Sequence, residues 1–426
     1  MKKKSSGVTL MMSWSTILAY LGIPACSTTK SIQHSLPFEV SEQNSLATHL
    51  WSQKMPGFVT DLKLSKNGKF ILAATVPSDE ESSAPTNPFV LLFSKQGEEV
   101  WRLPLKSKIK DLEISESGEF AVMSTYDEKL SGIDQAGKVQ WSYGALCKPM
   151  LLNRVKRVLC YYDDDSRPGV AYDLFDWSGK KLETYRTGRE VLTLKVARDE
   201  SHFLIALNRG ELVRLNSEMK EVFKKTVPGE IVDAAITGEG PGGGMIAVIY
   251  NVHPGTGSAP AVGAEGAPLK GQSLALLDKQ GNTLAQVQLS QHTEQVSFSE
   301  KADTVLVYGN GPQGQYLASY KLEPGTAPAV KLAKGFFYRD QHFADYSSPM
   351  VVSRDEVLVG FEDIYSPSTK SRHSHLFSFD MKGKVTWHLP LHTEDGAYLY
   401  AKATASDPFL VVATDRGQLA GYQVRR

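Results

Sequence analysis

A nine-residue phrase returns along this chain at nearly constant intervals and constrains its fold more than any other feature. It reads apolar–Asp–x–x–Gly–x–x–x–Trp. Ile133-Asp134 leads to Gly137 and Trp141, and Phe379-Asp380 leads to Gly383 and Trp387. Phe93-Ser94 with Gly97 and Trp101 is a third copy, with Ser in place of Asp. Phe175-Asp176 with Gly179, and Leu277-Asp278 with Gly281, keep the turn and lose the Trp. The turn glycines are 40, 42, 102 and 102 residues apart. Each long interval holds two repeats and an insertion, because degenerate turns stand at Leu215 to Lys220 and at Tyr320 to Gly325. Seven turns spaced by about 40 residues define a repeat architecture.

Each repeat begins with an alternating strand, as in Phe58 to Leu64. A Ser/Asn/Gly turn and an apolar strand follow, then a strand into the Asp-x-x-Gly turn and a fourth that carries the Trp. Alternation, β-branched residues and glycine turns every 8–12 residues are all-β signals. Four antiparallel strands in such a repeat make a propeller blade. The last repeat offers three strands, ending with Gln418 to Val424, whereas Leu46 to Trp51 reads as an orphan fourth strand. The expected fold is all-β: an eight-bladed β-propeller of four-stranded antiparallel blades over 45–426, its last blade closed by an N-terminal strand.

Lys2-Lys3-Lys4 precede an apolar stretch from Val8 to Ile23, interrupted by Ser13, Ser15 and Thr16. It is too short and polar for a membrane span and reads as a signal peptide over 1–25. Ile23-Pro24-Ala25-Cys26 resembles a bacterial lipobox, which implies that Cys26 is lipidated and that the chain is held at the outer membrane. The alternative is ordinary cleavage and release. Residues 26–44 read as the lipidated Cys and a flexible tether. Lys+Arg and Asp+Glu both number 47, so no net charge draws the chain to nucleic acid.

Cys147 and Cys160 flank a turn at Asn153-Arg154, and positions summing to 307 face each other across it. A cross-strand disulfide and two buried thiols are both open.

Up-and-down strands put their connections on two faces. Four long connecting segments, Val76 to Pro88, Asn251 to Lys270, Gly335 to Pro349 and Phe361 to Ser374, all fall on the same face. Long loops on a rigid scaffold commonly bind. The segment from Gly335 mixes aromatics with Arg and Asp. Phe337, Tyr338, Arg339, His342, Phe343, Tyr346 and the nearby Tyr365 are the expected partner-binding residues. Packing between blades is their alternative use.

No catalytic residue is expected, since a phosphate loop, a nucleophile elbow and a Cys-x-x-Cys are all missing from the sequence. Asp163-Asp164-Asp165 lacks the alternation of a calcium loop. His373-Ser374-His375 places two imidazoles on one side of an extended chain with no third ligand beside them, so no metal and no cofactor are expected.

The repeated phrase resembles the tryptophan-docking repeats of the pyrroloquinoline-quinone (PQQ)-like propellers. One branch of that family implies an enzyme that uses the quinone and calcium. The other is similar in anchor, length and blade count: the lipid-anchored propeller of the outer-membrane barrel assembly machinery. That branch implies a non-enzymatic, periplasm-facing scaffold with envelope protein partners, the barrel assembly machinery among them. Exposure at the cell surface, a quinoprotein-like enzyme and a glycan- or cell-wall-binding propeller are the alternatives.

Overall fold

The computed structural model describes residues 47–77, 87–162, 172–240, 243–252, 271–299, 301–311, 314–323, 329–338, 351–353, 356–362, 372–380, 385–393, 398–403, 409–414 and 417–424. They form eight four-stranded antiparallel sheets. In seven sheets the strands follow in chain order. The first runs Phe58–Leu64, Phe70–Val76, Phe89–Ser94 and Glu99–Pro104. The eighth is composite: Tyr398–Ala403, Phe409–Thr414 and Gln418–Val424 are completed by Ala47–Lys54, with Ala47 opposite Val424.

Strand character changes in order across a sheet. The first strand alternates, with Leu62 buried between partly exposed Asp61 and Lys63. The second is a continuous apolar run, and Ile71, Leu72, Ala73 and Ala74 are all buried. Such runs fit a sheet covered on both faces. The fourth alternates between exposed and half-buried positions, as in Glu99–Pro104. Neighbouring sheets supply the cover. Leu72, Val90 and Leu92 of the first sheet share a core with Leu112, Met123 and Ile133 of the second. Phe409, Val411 and Leu419 of the composite sheet pack against Leu62, Ile71 and Leu91 of the first.

The repeated glycine is the contact point between sheets. Trp51 lies over Gly97 of the first sheet, and a Cβ added there meets its ring at 2.6 Å. Trp101 lies over Gly137 of the second sheet, and Trp141 over Gly179 of the third. Each glycine has positive φ, about +80°, which also disfavours a side chain. The indole N–H of Trp51 donates to the Lys95 carbonyl at 2.8 Å, and that of Trp141 to the Trp177 carbonyl at 2.7 Å. At Trp101 the stack is kept, but the buried indole N–H has no acceptor among the described residues.

In the third and fourth sheets, which lack the Trp, arginine supplies the donor. Glu183 and Phe223 occupy the equivalent register in the third and fourth sheets. There Arg157 Nη1 donates to the Ser217 carbonyl at 2.6 Å, and Arg214 Nη1 to the Lys279 carbonyl at 2.6 Å. Both carbonyls belong to the same turn position as Lys95 and Trp177. Phe223 keeps the flat group over Gly281.

Every fourth strand also contains a bulge just before the Trp position, from Leu50 in the composite sheet to Thr386 in the seventh. The extra residue bends the strand and breaks the outer edge as a pairing template.

Gly137→Ala should cost about 2 kcal/mol or more, since it combines a forbidden φ with a clash against Trp101. Gly144→Ala, where an added Cβ meets nothing within 4 Å, should stay within about 0.5 kcal/mol of the parent. Denaturant unfolding midpoints compare the two.

Candidate interaction face

The turns between first and second strands form a continuous belt over five sheets. The Asn67 amide donates to the Glu116 carbonyl at 3.1 Å, and Asn67 Nδ2 to the Ser117 carbonyl at 3.1 Å. The Glu116 amide donates to Asn153 Oδ1 at 2.8 Å. The amides of Asn153 and Arg154 donate to the two Glu200 carboxylate oxygens at 2.8 and 2.7 Å. The Glu239 amide donates to Asp199 Oδ2 at 2.7 Å. Burial works against the Asp199 carboxylate, but the Ser201 hydroxyl and the Glu239 amide hold its carboxyl below the usual range. Turn amides on this side are committed to internal partners.

First strands of neighbouring sheets carry charge between them. Lys63 Nζ lies 2.9 Å from Glu113, 3.6 Å from Asp111 and 3.7 Å from Asp61. Burial opposes the ammonium, but Glu113 and the two aspartates hold its pKa well above the usual lysine value. Burial pushes the Glu113 carboxyl up, with Lys63 opposing. A lysine so held is a fixed cation at neutral pH and neither a base nor a Schiff-base nucleophile. Lys195 and Asp233 repeat the pairing at 2.9 Å between the fourth and fifth sheets.

The opposite side is built differently. Val76 and Phe89, Val252 and Gly271, and Glu362 and Arg372 end successive second and third strands; Tyr338 and Val351 bound a sheet-to-sheet connection. All four intervals open away from the hydrogen-bonded belt. The intervals 78–86, 253–270, 339–350 and 363–371 lie outside the described residues. So do Cys26, Arg339, His342, Phe343, Tyr346 and Tyr365, the leader, the tether and Asp163 to Asp165.

Gly335 to Tyr338 differ from expectation. They are the end of the fourth strand Ala329–Tyr338, not loop. Phe337 stands opposite Tyr316, and Tyr338 opposite Gln315. The partner strand Gly314–Glu323 is ten residues long, and its backbone carries the pairing past the glycine. The seventh sheet is extended likewise: Arg372–Asp380 and Val385–Thr393 have nine residues each, against six for Phe89–Ser94 and Glu99–Pro104. Asp380 opposes Glu356 as Asp134 opposes Phe120, so the added length lies at the open side.

Cys147 and Cys160 are joined, with Cα atoms 5.6 Å apart and both buried. The register differs from the one expected, because Pro149 opposes Cys160 and Lys148 opposes Tyr161. Paired positions sum to 309, which makes the bridge diagonal. The turn spans four residues, Asn153 to Lys156, and Lys156 adopts positive φ. Beside the bridge, buried Asp173 receives Tyr162 Oη, Thr184 Oγ1 and Lys181 Nζ, each at 2.6 Å. Burial opposes its charge, yet Lys181 and the two hydroxyls hold its carboxyl below the usual range.

The sequence matches no protein-family model and no curated protein. Solved structures match over nearly the whole chain, and they are β-propellers. BamB from Moraxella catarrhalis is 16% identical with a TM-score of 0.53, covering 88% of this chain and 99% of that one. The C-terminal WD40 domain of Sif2 is 10% identical with a TM-score of 0.59, covering 90% and 99%. Sqt1 of Chaetomium thermophilum, solved bound to the N-terminus of ribosomal protein L10, is 11% identical with a TM-score of 0.58, covering 87% and 97%. This chain has a β-propeller fold. Identities this low speak for the fold alone.

Asp173→Asn should lower stability by about 1–3 kcal/mol at pH 7. A depressed folded pKa stabilises above the unfolded value near 3.9 and is lost as pH falls through the folded value. The gap between parent and variant in thermal unfolding should therefore close below about pH 4. Cys147 and Cys160 should resist thiol alkylation in the denatured protein until a reductant is added, as read by mass spectrometry.

Proposed function

We propose that this chain is an eight-bladed propeller, closed by its N-terminal strand, that serves as a non-enzymatic scaffold in a bacterial envelope. The lipid on Cys26 holds it at the outer membrane, facing the periplasm. It binds protein partners through the side on which its long segments open. One observation carries the reading: the asymmetry between the two sides. Turn amides on one side are bonded from sheet to sheet over five sheets, while on the other four long intervals leave the strands. A rigid ring that presents loops on one side is suited to holding a partner.

The composite sheet supports ring closure, since it ties the first described strand to the last. Lys63, the most strongly paired cation of the first strands, is spent on three carboxylates. The propeller likeness includes a protein solved with a peptide segment bound, Sqt1. The likeness to BamB and the lipobox resemblance together favour an envelope role, with the barrel assembly machinery as the first partner to test.

Affinity capture of the lipidated protein from crosslinked membranes tests this directly. Barrel-assembly components, enriched over a control lipoprotein, are the expected catch. Replacing 339–350 with a short Gly/Ser linker should reduce their capture at least tenfold while thermal unfolding stays cooperative. Undiminished capture would move the binding side elsewhere, and an empty parent capture would favour a small-molecule or glycan ligand.

A further inference from the structure

At the junction of the fourth and fifth sheets a carboxylate from one sheet stands beside an imidazole and a guanidinium from the other. His202 opens the strand His202–Leu207, and Arg214 lies in the next strand of that sheet, Glu211–Asn216. The turn that follows Glu230–Ile236 of the fifth sheet reaches both. Its backbone fits closely against them: a Cβ added at Gly238 meets the Asp199 carboxyl carbon at 2.7 Å, and one added at Gly244 meets Arg214 Nη2 at 3.0 Å. Between those two glycines the sequence is Glu239-Gly240-Pro241-Gly242-Gly243, so Glu239 supplies its only ionisable side chain. The Glu239 amide is fixed to Asp199 Oδ2, whereas the Glu239 side chain is 55% exposed. Its Oε1 stands 3.6 Å from His202 Nε2 and 3.5 Å from Arg214 Nη2. Both distances exceed hydrogen-bond length.

The bonds around His202 fix which nitrogen bears its hydrogen. Asp199 Oδ1 can only accept, so the Ser201 hydroxyl donates its hydrogen there, at 2.5 Å. Ser201 Oγ is left to accept, and His202 Nδ1, 2.9 Å away, is the donor. A neutral His202 therefore carries its hydrogen on Nδ1 and turns a bare Nε2 toward Glu239. A lone pair facing a carboxylate oxygen makes no bond, which accounts for the gap of 3.6 Å. Arg214 does not close it, because Nη1 is bonded to the Lys279 carbonyl and the guanidinium is held in place. A proton on Nε2 makes that atom a donor, and a movement of about 0.7 Å then brings Oε1 into hydrogen-bond range.

We propose that His202 and Glu239 form a pH-operated latch between the fourth and fifth sheets, open while the imidazole is neutral and closed when Nε2 takes a proton. The charged groups around the imidazole set its threshold. Burial and Arg214 oppose the proton, Glu239 and Asp199 favour it, and the balance holds the His202 pKa below its ordinary value of 6.5. Of the charged groups nearby in sequence, Glu218 and Lys220 pair with each other at 3.0 Å, and Glu200 is bonded to turn amides of the third sheet. The latch is thus open at neutral pH and closes in mild acid. The sign of the linkage makes it distinctive. A depressed folded value means that His202 removes global stability as the pH falls through 6.5, while the local contact at Glu239 tightens. The latch lies on the belt side and does not depend on the partner reading.

Proton NMR of the His202 ring, assigned by its loss in His202→Gln, tests the latch in the whole chain. The parent midpoint is expected below pH 6.5. Glu239→Gln should lower it further, by about 0.3–1 pH unit, because a nearby opposite charge favours the protonated form. The midpoint of His49, in the composite sheet, should not move. Hydrogen exchange read by mass spectrometry follows the closure itself. Between pH 7.5 and pH 5.0 the protection of the peptide that carries Glu239, corrected for intrinsic rate, should rise by about threefold or more in the parent. In Glu239→Gln it should not rise. A midpoint unchanged or raised by Glu239→Gln, or a protection that changes equally in parent and variant, overturns the latch. The exchange comparison needs only the substitution at exposed Glu239, and it decides alone should His202→Gln fail to fold.

Discussion

At three junctions a flat group over a glycine, with a donor aimed at the carbonyl two residues before it, couples one sheet to the next. Trp51 meets both requirements at Gly97 and Lys95, and Trp141 at Gly179 and Trp177. The remaining inter-sheet packing depends on this registration, because a turn held at a fixed height sets which apolar residues of adjacent sheets meet. The requirement is physical and not tied to one residue type. At the fourth-to-fifth junction Phe223 provides the flat group and Arg214 the donor. Arg214 is a buried guanidinium whose pKa burial lowers, with Glu239 and Asp199 opposing. Such a group is costly unless bonded, so the carbonyl of Lys279 and the guanidinium depend on each other.

Much of the fold was legible because this coupling leaves a sequence signature. Asp134, Asp176 and Asp278 each accept their own turn amides, which sets the Asp-x-x-Gly phrase directly. The degenerate copy at Asn216 works the same way, with Met219 in the glycine's place at positive φ. The arginine donors were not legible. Arg157 and Arg214 lie outside the repeated phrase, on second and third strands, and only the packed structure aims them at the next turn. The Cys147–Cys160 register was misjudged because the turn between them is set by Glu200, which binds two of its amides from the adjacent sheet. The end of Ala329–Tyr338 was read as loop because Gly335 and its run of aromatics break alternation. Its strand character comes from a long partner whose extent the local sequence does not reveal.

The two sides divide the work of the molecule between them. On one, turn amides over five sheets bond to a neighbouring turn, so stability passes between neighbours in the manner of repeat proteins. On the other, sheets of unequal length give the ring an uneven profile, highest in the sixth and seventh. Of the site residues read from sequence, Phe337 and Tyr338 lie within its strands. The charged cluster at Lys63 belongs to the framework: its carboxylates come from two sheets and one cation serves them all.

The composite sheet has a consequence in time. Of the described strands, Ala47–Lys54 is the first in chain order, and Gln418–Val424, which it pairs, is the last. Trp51, carried by that first strand, must also settle on Gly97. Intermediate sheets can assemble against their neighbours as they emerge, but the strand Ala47–Lys54 must wait for its partner until Gln418–Val424 has been made. A product that stops before Gln418 thus keeps an unsatisfied edge, open to any chaperone or protease that recognises exposed strands.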